Sequence, residues 1–154
     1  MDMAFYTDQD LFYEKEVCED CEEIVRQAQA QGFLNTAVYR GDYGTYVAFD
    51  GDIGIGYLSL SVWCTPEIEE WWEDGSTVYV EQVAVRDEYR GFGVARSLYA
   101  ALEEDGQFSR IICSISRSNE ASQAAHEALG FEVAGEHDNY IVYLKEIWLS
   151  SCER

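Results

Sequence analysis

From Thr77 onward the chain switches repeatedly between two hydrophobic periods, and that alternation limits the folds open to it. Thr77 to Val85 is rich in β-branched and aromatic residues and reads as a strand. Val94, Leu98 and Ala101, with Ala95 and Leu102 beside them, then share one helical stripe that ends before Asp105-Gly106, which predicts a helix over 94–104. Arg110 to Ser116 reads as a short buried strand and Asn119 to Leu129 as a helix with an alanine-rich inner face. Phe131 to Gly135 and Tyr140 to Trp148 read as two more strands. Strand, helix, strand, helix, strand in that order implies a βαβ crossover and helices packed on a partly parallel sheet.

The front of the chain makes that sheet mixed. Val17, Cys21, Ile24 and Ala28 recur at helical spacing, predicting a helix from about Glu14 to Gln31 with Gly32 as its stop. Ala4 to Tyr6 is a short strand candidate, with Thr7 or Asp8 starting the helical region. Thr45 to Phe49 and Ile53 to Trp63 flank Asp50-Gly51-Asp52, a hairpin signal that predicts an antiparallel pair. Pro66 is the sole proline, and no linker or repeat interrupts the 154 residues, so one continuous domain is expected.

Composition narrows the function classes. With 47% apolar residues the chain can build a sizeable core. Thirty acidic residues against ten basic ones give a formal charge of −20, which excludes a phosphate-tracking nucleic-acid surface and disfavours an anionic membrane. Salt adaptation, a cationic partner and imitation of nucleic acid all fit that charge. No apolar run is long enough to span a membrane, and the first residues carry no secretory signal, so a cytoplasmic protein is expected. The five cysteines form an odd set without a disulfide framework.

The stretch Tyr89-Arg90-Gly91-Phe92-Gly93-Val94-Ala95 stands between a predicted strand and the first turn of a predicted helix. Gly91 and Gly93 let a ligand approach backbone N–H groups that a helix start leaves unpaired, and the helix dipole favours an anion there. The same stretch also reads as a plain strand-to-helix turn in which the glycines relieve crowding.

"VEQVAVRDEYRGFGVARSL" over Val80 to Leu98 resembles the acetyl-CoA-binding core of the GNAT superfamily of N-acetyltransferases, with Arg90, Gly93 and Ala95 in register. "NEASQAAHEALGF" resembles that family's closing motif through Asn119, Ser122, Gly130 and Phe131. Two motifs about thirty residues apart, both in the correct context, are more specific than either alone. The resemblance implies an α/β fold with a mixed, twisted sheet of about six or seven strands flanked by helices. It implies that acetyl-CoA is the acyl donor and that no metal is needed. The backbone of Val83, Ala84 and Val85 would bind the pantetheine arm. Arg90, Gly91, Asn119 and Ser122 would also bind the cofactor, and the amides of Phe92, Gly93, Val94, Ala95 and Arg96 would hold the pyrophosphate. Glu81 would be the general base, since an amine arrives mainly as ammonium and must lose a proton before attacking. His126 stands where many members carry a proton-donating tyrosine. It could donate a proton near neutrality or simply pack against the coenzyme. Tyr140 and Tyr143 are substitutes.

Other features carry less. Cys18 and Cys21 sit inside a predicted helix among carboxylates, so core packing accounts for them better than a metal or redox site. His137, with Asp138 and Asn139, occupies the predicted turn between the last strands, where relatives often meet their acceptor, and an ordinary polar turn fits these residues equally. Trp71 and Trp72 lie among acidic residues in "TPEIEEWWEDGS". They could receive an ammonium group through cation–π attraction, cover the sheet, or form a homodimer contact. The sequence thus points to acetyl transfer onto a primary amine, with a cationic acceptor favoured by the charge. A weak acyl-CoA-binding module and an acidic interaction protein are the alternatives.

Overall fold

A computed structural model describes residues 1–7, 9–10, 14–30 and 42–147. Seven strands, β1 (Asp2–Tyr6), β2 (Gly44–Asp50), β3 (Ile53–Ser61), β4 (Thr77–Val85), β5 (Arg110–Ser116), β6 (Glu132–His137) and β7 (Tyr140–Glu146), form one sheet in the order β1-β2-β3-β4-β5-β7-β6. Helices α1 (Lys15–Ala30), α2 (Val94–Glu104) and α3 (Glu120–Ala128) accompany it, with 3-10 turns at Pro66–Trp71 and Asp87–Tyr89. The fold is the mixed-sheet α/β architecture that the sequence predicts. Chain contacts group into two compact units, Met1–Ser61 with Glu81–Asp105, and Val62–Val80 with the described residues from Gly106 onward.

In the first unit β1 and β3 both pair antiparallel with β2, and the Asp50-Gly51-Asp52 turn closes the hairpin as expected. Val17, Cys21, Ile24 and Val25 of α1 bury their apolar stripe against Val47, Tyr57 and Ala84. Helix α2 covers the other face, because Gly56, next to Tyr57 in the strand, meets Val94 and Leu98 there. A side chain at Gly56 would lie 2.8 Å from Val94. Cys21 is thus core, and Cys18 packs beside it. The expected helix end at Gln31 and Gly32, the start at Asp8, Trp148 and Cys152 lie outside the described residues.

In the second unit β4 and β5 pair in parallel from Thr77↔Arg110 to Val80↔Cys113, which is the crossover that α2 makes. Strand β7 pairs antiparallel with both β5 and β6. Ile68, Ile112 and Val142 form a core that Trp71, Trp72 and Tyr79 cover.

Three expectations are corrected. Strand β3 stops at Ser61 rather than Trp63, and Val62 and Trp63 stand 43% and 72% exposed. Strand β6 runs through His137, which pairs with Tyr140, so the turn is Asp138-Asn139 and Asp138 takes the positive φ of 51°. The alanines of α3 face solvent, while Ser122, His126 and Leu129, four and three residues apart, form its inner stripe.

Candidate active site

Strand β4 presents its residues alternately to core and to a more open face: Gln82 and Ala84 are buried, whereas Glu81, Val83 and Val85 are only partly covered. Gln82 is held by the Tyr57 hydroxyl, which donates to Oε1 at 2.7 Å. Burial pushes the Glu81 carboxyl above its ordinary pKa. A hydrogen bond from Ser61 opposes that rise, and the negative charge of Asp42 adds to it. The Ser61 hydroxyl also reaches Asp42, at 2.6 Å from Oδ1. Neither nearby arginine neutralises Glu81. Arg86 donates to Asp20 and to the Gly54 carbonyl, each at 2.8 Å, and Arg90 pairs with Asp87 at 3.1 Å.

After Val85 the chain turns through Asp87–Tyr89 into the glycine pair. The turn is anchored by the Asp87 N–H, which donates to Gln27 at 2.8 Å, by Arg90 on the Val85 carbonyl, and by the Tyr89 hydroxyl on Asp50. Gly91 and Gly93 have φ of 82° and 80°, where a side chain is strained, yet a Cβ at either would touch nothing within 4 Å. Crowding is therefore not the reason for these glycines. The backbone conformation requires them, and open space lies beside it. Gly93 is the N-cap of α2 and supplies no side-chain acceptor, and the first turn carries no acid. The amides at this helix start remain available to an anion, with Arg96 exposed nearby and Phe92 76% exposed at the tip.

In the second unit Asn119 caps α3, its side chain accepting from the Ser122 N–H at 3.1 Å. One turn on, His126 is 4% exposed and its ring meets Phe131 edge-on at 5.1 Å. A carbonyl only accepts, so the 2.8 Å contact between Nδ1 and the Ser122 oxygen places a proton on Nδ1. Burial lowers the ring's pKa, which that bond partly opposes. The Tyr143 hydroxyl, in a side chain 1% exposed, donates to Glu127 at 3.3 Å. Trp71 lies directly over Gly135, where a Cβ would come within 2.6 Å of the indole, and Trp72 donates to Asp74 at 2.9 Å. Of the three uses the sequence left open for Trp71, the structure displays the sheet-covering one. His137 stacks on Tyr140 at 5.5 Å and contacts the Ser114 hydroxyl at 3.3 Å, with Tyr140 39% exposed.

The pattern of the acetyltransferase (GNAT) family matches residues 4–131, well over half of the chain. The chain belongs to that family. Solved structures agree on the fold of this GNAT protein. A GNAT acetyltransferase from Listeria monocytogenes shares 14% identity at a TM-score of 0.66, covering 95% of this chain and 94% of its own. The Salmonella typhimurium protein yncA, solved with acetyl-CoA, shares 19% at 0.63, covering 96% and 95%. An aminoglycoside N-acetyltransferase in complex with CoA shares 20% at 0.61, covering 89% and 96%. No curated protein matches the GNAT chain in sequence.

Two residues that bear on the Glu81 carboxyl, Ser61 and Asp42, escape sequence reasoning. The hairpin register offers a partial signal: Thr45 pairs with Ser59, so Ser59 and Ser61 continue one face as a polar strip in an otherwise apolar strand. Among the described residues no cluster of three or more His, Cys, Asp or Glu is arranged to hold a metal ion, and no helix is long and apolar enough to cross a membrane.

Proposed function

We propose that this protein transfers an acetyl group from acetyl-CoA to a primary amine by direct attack in a ternary complex. The observation that carries the reading is the β4–glycine turn–α2 unit, in which a half-buried carboxylate and a helix start without a side-chain cap belong to one continuous segment. The open space beside Gly91 and Gly93 and the acid-free first turn fit a pyrophosphate. Acetyl-CoA supplies an activated thioester carbonyl. The amides of Phe92 to Arg96 bind its phosphates, and the β4 backbone at Val83 to Val85 aligns the arm that leads to the thioester.

Glu81 takes a proton from the arriving ammonium, leaving the nitrogen lone pair free to attack. The backbone N–H of Val83 faces the carbonyl oxygen as it gains charge. A thiol is a stronger acid than an alkylammonium, by about two pKa units in the corresponding side chains, so the C–S bond breaks to release thiolate. The thiolate then takes the remaining extra proton from the acylated nitrogen to give the amide and free coenzyme A. In this reading His126, neutral and tied to the Ser122 carbonyl, packs α3 rather than supplying a proton. The acceptor is a cationic amine, drawn by the chain's net charge of −20.

The test is release of free coenzyme A from acetyl-CoA in the presence of a panel of primary amines, run with wild type and Glu81→Gln. Amine-dependent release that Glu81→Gln abolishes supports the reading. Release that ignores both the amine and Glu81 overturns it.

A further inference from the structure

The backbone between β4 and α2 has no core to hold it. From Val85 to Gly93 no residue is buried, whereas Ala84 and Val94 on either side are. The conformation of this stretch, including the positive φ of Gly91 and Gly93, therefore depends on polar bonds. Three of them converge on Arg86. Its N–H donates to the Ile55 carbonyl, its Nε to the Gly54 carbonyl and its Nη2 to Asp20 Oδ1, each at 2.8 Å. Asp20 closes the ring, because its other oxygen, Oδ2, accepts the Gly54 N–H at 2.8 Å. A Cβ on Gly54 would stand 3.0 Å from the Asp20 Cβ, so the glycine leaves room for the carboxylate against the strand.

Asp20 belongs to α1. Two turns further along that helix, Gln27 accepts the Asp87 N–H at 2.8 Å. Asp20 and Gln27 flank the buried Ile24 by four and three residues, so α1 carries a polar edge beside its apolar stripe. The stripe already seats the helix on the sheet. The polar edge does something else: it grips the exit of β4 at two consecutive residues, just before the chain enters the glycine turn.

We propose that Asp20 and Arg86 set the affinity for acetyl-CoA by holding the glycine turn in the conformation that presents its amides, which makes α1 the helix that orders the cofactor site. The proposal rests on the reading of that turn as the pyrophosphate site. Both are positioning residues, acting through the backbone that follows them. With the clamp in place the turn is ordered before the ligand arrives. Without it the binding conformation is only fractionally populated, and the apparent Kd rises by the inverse of that fraction.

The test is calorimetric titration of acetyl-CoA into wild type, Asp20→Ala, Arg86→Ala, the double variant and Glu146→Ala. The last is the control. It breaks the 2.5 Å ion pair between Arg110 of β5 and Glu146 of β7, whose arginine side chain is about as covered as that of Arg86, 20% against 15% exposed. Lost stability alone leaves Kd unchanged while nearly all of the chain is folded, a condition that thermal melts establish.

Each single clamp variant should raise Kd by about threefold to thirtyfold. The double variant should lose no more than the worse single, because the two side chains act as one unit. Glu146→Ala should bind as wild type does. Asp20→Asn retains an acceptor for the Gly54 N–H without the charge, and it replaces Asp20→Ala in the cycle if the alanine variant unfolds. Wild-type affinity in both clamp singles overturns the proposal, as does a double variant whose loss is the product of the two, or an equal loss in Glu146→Ala. A folded wild type that binds no acetyl-CoA overturns the reading of the turn, and the proposal with it.

Discussion

The indole of Trp71 occupies the space that any side chain at residue 135 would need, its Cζ2 standing 2.6 Å from where a Cβ on Gly135 would lie. The 3-10 turn at Pro66–Trp71 is thereby fastened to β6, and Ile68 is sealed over Ile112 and Val142. Gly135→Ala should therefore destabilise the protein by about 1–3 kcal/mol through overpacking. Trp71→Ala should cost about 3–5 kcal/mol by leaving a cavity. Denaturant unfolding of the double variant checks the pair. It should lose less than the sum of the singles, because the alanine at 135 no longer meets an indole.

Gly93 and Gly51 make a matched comparison. Both have positive φ, 80° and 60°, and both would place a Cβ in open space, but Gly51 sits in the β2–β3 turn and Gly93 caps α2. Alanine at either should cost about 1–2 kcal/mol of stability from backbone strain. Only Gly93→Ala should also weaken acetyl-CoA binding, by about tenfold or more, equivalent to at least 1.4 kcal/mol. Calorimetric titration of the two variants separates strain from lost ligand contact.

Glu81→Gln should trade activity for stability. Burial raises the Glu81 pKa above the ordinary 4.5, so the ionised carboxylate works against folding at neutral pH. Its favourable contribution is complete below 4.5 and is lost as pH rises through the folded value. The glutamine variant should thus melt above wild type at pH 7, and the gap should close as pH falls below 4.5. Turnover should drop by about 10²–10⁴-fold, the usual weight of a general base.

His126 has the reverse sign. Its pKa is lowered from 6.5, so the unfolded chain binds a proton first as pH falls. The stability that the buried neutral ring contributes is complete above 6.5 and fades as pH drops toward the folded value. His126→Gln should be less stable than wild type at about pH 7.5, and the difference should narrow toward pH 5. Thermal melts across that range, with turnover per folded enzyme near wild type, would fit the packing role.

Much of the architecture is legible in the sequence because local pattern and tertiary demand agree. β4, α2 and β5 begin and end where their periodicity says. Where they part, long-range packing decides. The alanines of α3 look like an inner face by composition, but the stripe that reaches Phe131 and the helix's own carbonyls is Ser122 and His126. The insertion of β7 between β5 and β6 leaves no local signature, because hairpin partners can lie on either side of an existing edge. The glycine turn is readable because its spacing is fixed within one segment, whereas Glu81 is singled out by the family resemblance and not by any local signal. Ser61 and Asp42 are not readable, since only folding brings these two residues, 19 positions apart, within hydrogen-bonding distance of each other.

The most direct measurement is calorimetric titration of acetyl-CoA into the purified protein, at low salt and again at molar salt, where screening relieves the repulsion of its −20 charge. The account predicts saturable binding of one acetyl-CoA per chain under at least the high-salt condition, weakened by about tenfold or more in Gly93→Ala and kept in Gly51→Ala. A folded protein that took up no acetyl-CoA at millimolar concentration in either salt would contradict it.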